Sequence, residues 1–112
     1  MDKNGILTAS LVVYHNDKDD IEKVIDSFLG FGYDSILFVI DNSADNSLEE
    51  LCNHSRIQYI FNNANLGFGA AHNIAFKKAF KLNSIYHILL NPDVHFDSAI
   101  IEDLIKKANS DS

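Results

Sequence analysis

Asn91, Pro92 and Asp93 follow directly on the apolar run Ile85-Tyr86-His87-Ile88-Leu89-Leu90, which places a carboxylate where a buried strand would meet solvent. In an open parallel sheet, ligands settle in the crevice outside the carboxyl ends of the strands. A carboxylate there is a hard oxygen ligand for a divalent cation, and such a cation can hold a diphosphate. A second acidic strand end, Val39-Ile40-Asp41-Asn42-Ser43, and a glycine-bearing turn, Asn65-Leu66-Gly67-Phe68-Gly69, that opens a helix point the same way. The chemistry these residues suggest is that of a nucleotide-diphosphate site.

Each feature has a plainer reading beside this one. Asn91-Pro92-Asp93 is also a good turn, with Pro92 setting φ and Asp93 bonding locally. Asp41 is anchored by a buried strand and can reach into the crevice, or it can form an Asx turn with its own backbone near Ser43. Gly67 to Asn73 begins a helix with small residues that allow close backbone approach, and helix N-termini attract phosphate; tight turning and helix packing explain the same residues. His72 is either a phosphate contact or a hydrogen-bonded structural histidine. His15, His54, His87 and His95 lack the spacing of a zinc site.

The elements that must position these groups alternate. Ile6 to Tyr14 reads as a strand buried on both faces. Ile21, Val24, Ile25, Phe28 and Leu29 recur at helical spacing behind Asp19, Asp20 and Glu22, and Gly30 and Gly32 end that helix. Ser35 to Asp41 is a second strand, and Ser47 with Glu50 forms a capping box for a short helix through Cys52. Ile57 to Phe61 is a third strand. A helix from Phe68 to Leu82 carries the narrow stripe Ala71, Ile74, Ala75 and Ala79; Ile85 to Leu90 is the fourth strand. Asp97 or Ser98 caps a last helix with Ile100, Ile101, Leu104, Ile105 and Ala108 inward. Four strand–helix alternations demand parallel strands, right-handed crossovers and helices on both faces.

At 112 residues and 46% hydrophobic content the chain is expected to be one domain, 1–112, with one core. A net charge of -7 argues against a nucleic-acid partner, since phosphate-backbone binding needs clustered Lys and Arg. Lys77, Lys78, Lys81, Lys106 and Lys107 are read as solvated helix faces. Cys52 is the single cysteine, read as a small buried hydrophobe in a reducing compartment. No run approaches a membrane span and no signal-peptide layout opens the chain, so a cytoplasmic location is expected.

In chain order, Leu11-Val12-Val13-Tyr14-His15-Asn16, Val39-Ile40-Asp41-Asn42-Ser43, Asn62-Asn63-Ala64-Asn65-Leu66-Gly67-Phe68-Gly69-Ala70-Ala71-His72-Asn73 and Leu89-Leu90-Asn91-Pro92-Asp93-Val94 resemble the inverting glycosyltransferases of family 2, especially the rhamnosyltransferase-like branch. The resemblance runs from about residue 7 to 105. It implies the N-terminal half of a GT-A fold: a Rossmann-like open parallel sheet in strand order 3-2-1-4 that binds a nucleotide-diphosphate sugar donor. By position it makes Asp41 the base-binding aspartate and lets Tyr14 and Asn16 line the nucleoside. Asn65, Gly67, His72 and Asn73 flank the donor, and Asn91 begins the motif whose Asp93 ligates Mg²⁺ or Mn²⁺ and the diphosphate.

The implied reaction is inverting transfer of a hexosyl group, rhamnosyl among the candidates, to a glycan or lipid-linked acceptor, as in cell-wall polysaccharide biosynthesis. The resemblance is compatible with association of full-length relatives with the inner face of the membrane. Two departures stand out. Asn91 replaces the first motif aspartate, and no segment can be assigned to the acceptor or to the general base that takes the acceptor's proton. The chain therefore reads as the donor half of an enzyme, truncated or standing alone. The alternatives are a non-catalytic module that self-associates as a homo-oligomer through an exposed edge, and a receiver-like domain built on Asp19-Asp20, which a capping role explains better.

Overall fold

The computed structural model describes residues 6–30, 34–92 and 106. Strand β1 (Leu7–Val13) is buried at every position, as a strand covered on both faces must be. Helix α1 (Lys18–Leu29) follows. Asp17 caps it, its side chain accepting from the Asp19 backbone N–H at 2.8 Å, and Asp19 and Asp20 occupy the first turn. Gly30 ends α1, with its N–H returned to the Asp26 carbonyl, but at φ -71 it stays right-handed rather than adopting the left-handed cap typical of glycine. Gly32 lies outside the described residues.

Strand β2 (Ser35–Asp41) and strand β3 (Ile57–Phe61) have the expected bounds, and a 3₁₀ turn, Glu49–Cys52, lies between them. The expected capping box does not form. The Ser47 N–H donates to Asp45 Oδ1 at 3.1 Å, an Asx turn that takes up the segment, and Leu48 becomes the cap residue without a side-chain bond. Helix α2 (Phe68–Lys81) and strand β4 (Tyr86–Leu90) complete the described order. The expected helix near the C-terminus falls outside the described residues except at Lys106, which is helical and exposed.

The four strands pair in parallel in the order β3-β2-β1-β4. Alternation along the strands divides the core into two layers. Leu7, Ala9, Leu11, Val13, Leu37 and Val39 face α1 residues Ile21, Val24, Ile25 and Phe28, together with Leu48 and Cys52. On the other face Val12, Phe38 and Ile40 meet Ala71, Ala75 and Ala79 of α2. Helices thus cover both faces, the Rossmann-like, GT-A arrangement. The alanine stripe lets α2 lie close to the sheet, and its first turn reaches the carboxyl ends of the strands. Among the described residues, no helix is long and apolar enough to cross a membrane.

Candidate functional site

The carboxyl ends of β1, β2 and β4 and the start of α2 enclose a cleft of about 300 Å³ lined by Val12, Tyr14, Asn16, Asn42, Asn65, Phe68, Asn91 and Pro92. Tyr14, Asn16, Asn65 and Asn91 were expected there. The loop after β1 is shaped locally. The Tyr14 N–H donates to Asn16 Oδ1 at 2.8 Å, His15 adopts φ 50, and the His15 N–H donates to Ser43 Oγ at 2.8 Å. On the opposite wall Gly67 caps α2 at φ 84, a conformation glycine adopts freely, and its N–H donates to Asn65 Oδ1 at 3.1 Å. Among the described residues no side chain caps α2. Its first-turn N–H groups are consequently open to an anion, with the positive end of the helix dipole behind them.

Asn42 joins these walls. Its Nδ2 donates to the Gly67 carbonyl at 3.3 Å, its Oδ1 accepts from Asn62 Nδ2 at 2.8 Å, and its N–H donates to the Val13 carbonyl at 2.8 Å. Three strand ends and the cap of α2 therefore meet on one buried residue, through its side-chain amide and its backbone N–H. Sequence reasoning passed over Asn42 and Phe68, yet strand alternation held the signal. Phe38 and Ile40 face α2, so Asn42 continues that face and Asp41 must face the other.

Asp41 accordingly does not line the cleft. It is fully buried on the α1 side, Oδ1 accepting from the Ser43 N–H at 2.9 Å and Oδ2 from the Tyr59 hydroxyl at 2.5 Å. Burial, together with the bond to Asp41 and the carboxylate's charge, pushes the Tyr59 hydroxyl well above the usual tyrosine range. The Asx turn is thus formed, and Asp41 meets the cleft through Ser43, whose hydroxyl holds the His15 backbone. On this side a larger, open concavity of about 710 Å³ is bordered by Lys18, Glu49, Glu50, Cys52 and Tyr59. None of the expected site residues lines it. Cys52 is buried beside it, its thiol raised to about 11 by desolvation and the nearby Asp41 and Glu49 charges, as befits an inert core residue.

His72 is buried under the cleft rather than lining it. Its Nδ1 lies 2.6 Å from Ser10 Oγ, and Ser10 Oγ lies 3.1 Å from His87 Nε2 on β4. His87 Nδ1 is 2.7 Å from Thr8 Oγ1. Desolvation pulls both imidazoles below their ordinary range, and for His87 the neighbouring His72 adds to the shift. The folded rings therefore resist a proton that the unfolded rings accept near pH 6.5. Stability is expected to be fully present above that value and to fall as pH drops from about 6.5 toward the lower folded-state values. Urea midpoints between pH 8 and 5.5 check this: His72→Gln with His87→Gln should flatten the acid limb, and an unchanged slope would remove the buried pair as its cause.

Asn73 is exposed on α2 and stands apart from the cleft lining. Asp93 lies outside the described residues. Among the described residues no group of three or more His, Cys, Asp or Glu side chains could hold a metal ion. The described cleft offers neutral amide oxygens at Asn16, Asn42, Asn65 and Asn91. These are hard donors of the kind Mg²⁺ and Mn²⁺ accept, but they lack the charge that a carboxylate supplies.

A family model described as "Glycosyl transferase family 2" matches residues 11–112. The chain is also 26% identical over 95 residues to the low-salt glycan biosynthesis hexosyltransferase Agl10 of Haloferax volcanii, an alignment covering 84% of this chain and 30% of that protein. The chain thus spans under a third of that relative's length. With its parallel 3-2-1-4 sheet, its cleft at the strand ends and the match over nearly all its length, the chain belongs to glycosyl transferase family 2.

Proposed function

We propose that this chain is the donor-binding part of a metal-dependent inverting hexosyltransferase that takes a nucleotide-diphosphate sugar, with a glycan or lipid-linked acceptor engaged by the rest of the enzyme. The observation that carries the reading is the cleft itself. Two loops, a strand end rich in amides and the uncapped start of α2 converge there, as a diphosphate with a sugar and nucleoside on either side requires. Tyr14 offers a half-exposed ring against which a nucleobase can stack, and Asn16, Asn65 and Asn91 offer donors and acceptors for ribose and sugar hydroxyls. Asp41 fixes the nucleoside-side loop through Ser43, whose hydroxyl holds the His15 backbone.

Asn91 and Asp93 are the residues that would hold Mg²⁺ or Mn²⁺. The ion would supply positive charge to offset the diphosphate as it leaves. The chain's own contribution is to orient the donor between the β1 loop and α2. Among the described residues none is assigned as the general base that takes the proton of the acceptor hydroxyl. Titration calorimetry with UDP, GDP and dTDP, with and without Mn²⁺, tests the assignment. Manganese is expected to tighten binding at least tenfold in the wild type and not at all in Asp93→Ala, a difference of about 1.4 kcal/mol. An equal manganese effect in the variant would move the metal site elsewhere.

A further inference from the structure

The hydroxyl and imidazole groups between β1, β4 and α2 form one continuous chain, and its proton polarity can be read from one end. The Ser84 hydroxyl lies 2.6 Å from the Tyr86 carbonyl oxygen and can only donate to it. Thr8 Oγ1, 2.8 Å from Ser84 Oγ, is therefore the donor of that pair. Its proton being used, Thr8 accepts from His87 Nδ1 at 2.7 Å. Burial keeps each imidazole neutral, with a single proton, so His87 Nε2 is a lone pair. Ser10 donates to that lone pair at 3.1 Å and in turn accepts from His72 Nδ1 at 2.6 Å. The polarity ends at His72 Nε2, a bare acceptor with no hydrogen-bond partner among the described residues, in a side chain only 5% exposed.

An unpaired buried acceptor is unfavourable, and a group that reaches it recovers a bond the empty fold forgoes. Its position says which group. The Phe68 ring stands edge-on to His72 with centroids 4.3 Å apart, and Phe68 lines the cleft while remaining 58% exposed. Ser10 sits two residues before Val12, another cleft residue on the same face of β1. A turn of the Phe68 side chain would open the lone pair to the cleft.

We propose that His72 Nε2 accepts a hydrogen bond from one hydroxyl of the sugar carried by the donor nucleotide and takes no part in binding phosphate, a proposal that rests on the donor-site reading above. Phosphate oxygens are acceptors and would meet the lone pair with repulsion; a sugar hydroxyl is a neutral donor that fits it. Among the described residues the titratable group facing His72 is His87 across Ser10. Val12 of β1 and Phe68 of α2 contribute no ionisable group.

Imidazole nitrogen NMR on the full chain, with and without ligand, tests this. At pH 7 both rings are expected in the Nδ1–H tautomer; an Nε2-protonated or cationic His72 overturns the proposal. UDP-glucose, GDP-mannose and dTDP-rhamnose are then compared with UDP, GDP and dTDP, all with Mg²⁺. The His72 Nε2 resonance is expected to move with a sugar nucleotide and not with its bare diphosphate. His72→Phe should weaken that sugar nucleotide about five- to tenfold and leave its diphosphate within about twofold, the scale of one net hydrogen bond. Equal movement with the bare diphosphate overturns the proposal, as does a sugar nucleotide that shifts the Asn42 and Asn65 amides while His72 stays still. If no probe shifts any cleft amide, the donor reading itself fails and the hydroxyl site falls with it.

Discussion

Asp41→Ala is expected to destabilise the fold by about 1–3 kcal/mol for each of the two donors it strands, the Ser43 N–H and the Tyr59 hydroxyl. Denaturant midpoints would read this directly. Tyr59→Phe should cost less alone, and it should be nearly neutral when added to Asp41→Ala, because the hydroxyl then removed has already lost its partner. Asp41→Asn should fall between, since an amide can accept from one of the two donors but turns its own N–H groups toward the other. Additive losses in the double variant would mean that the Tyr59 bond carries no energy. The same substitution releases Ser43, which holds the His15 backbone, so nucleotide binding is expected to weaken even without metal.

Phe28→Ala is the largest expected effect on the fold as a whole. Phe28 is fully buried at the centre of the α1 layer, and the Arg56 guanidinium stands 5.6 Å from its ring centre. Arg56 is held there by its bond to the Leu29 carbonyl at 3.1 Å. Truncating a buried phenylalanine costs about 3–5 kcal/mol, against a total of roughly 5–15 kcal/mol for a domain. Much of the chain should lose its cooperative unfolding transition at 37 °C. A midpoint within a degree of the wild type would contradict the packing described for α1.

The architecture was legible because its signals are local and repeated. Buried parallel strands need unbroken apolar runs, and β2 spans such a run, whereas the edge strand β3, buried only at Ile57, carries its signal in β-branched and aromatic residues. The alanine stripe of α2 likewise marked its inner face. The misreadings came where two local patterns competed. Ser47 and Glu50 satisfy the capping-box pattern, yet Asp45 is placed to take the Ser47 N–H first, and Lys18 pairs with Glu50 from α1. Asp17 as the cap of α1 was hidden in a cluster of polar residues of which any could serve.

At the site, motif order named Tyr14, Asn16, Asn65 and Asn91 of the cleft lining but not Asn42 or Phe68. Asp41 drew attention as the charged residue, whereas alternation turns it away and presents Asn42. His72 could be read as structural or as a ligand contact. Its packing against Ser10 and Phe68 depends on how α2 crosses the sheet, a tertiary fact that no spacing within the helix conveys.

The central claim, that the cleft holds a nucleotide-diphosphate sugar, is tested most directly by thermal melting of the chain with Mn²⁺ and UDP-, GDP- or dTDP-linked hexoses. A donor at 100 times its dissociation constant is expected to add about 2.7 kcal/mol and to raise the midpoint by roughly 10 °C in a domain of this size. An unchanged midpoint with every one of these donors at millimolar concentration would contradict the account.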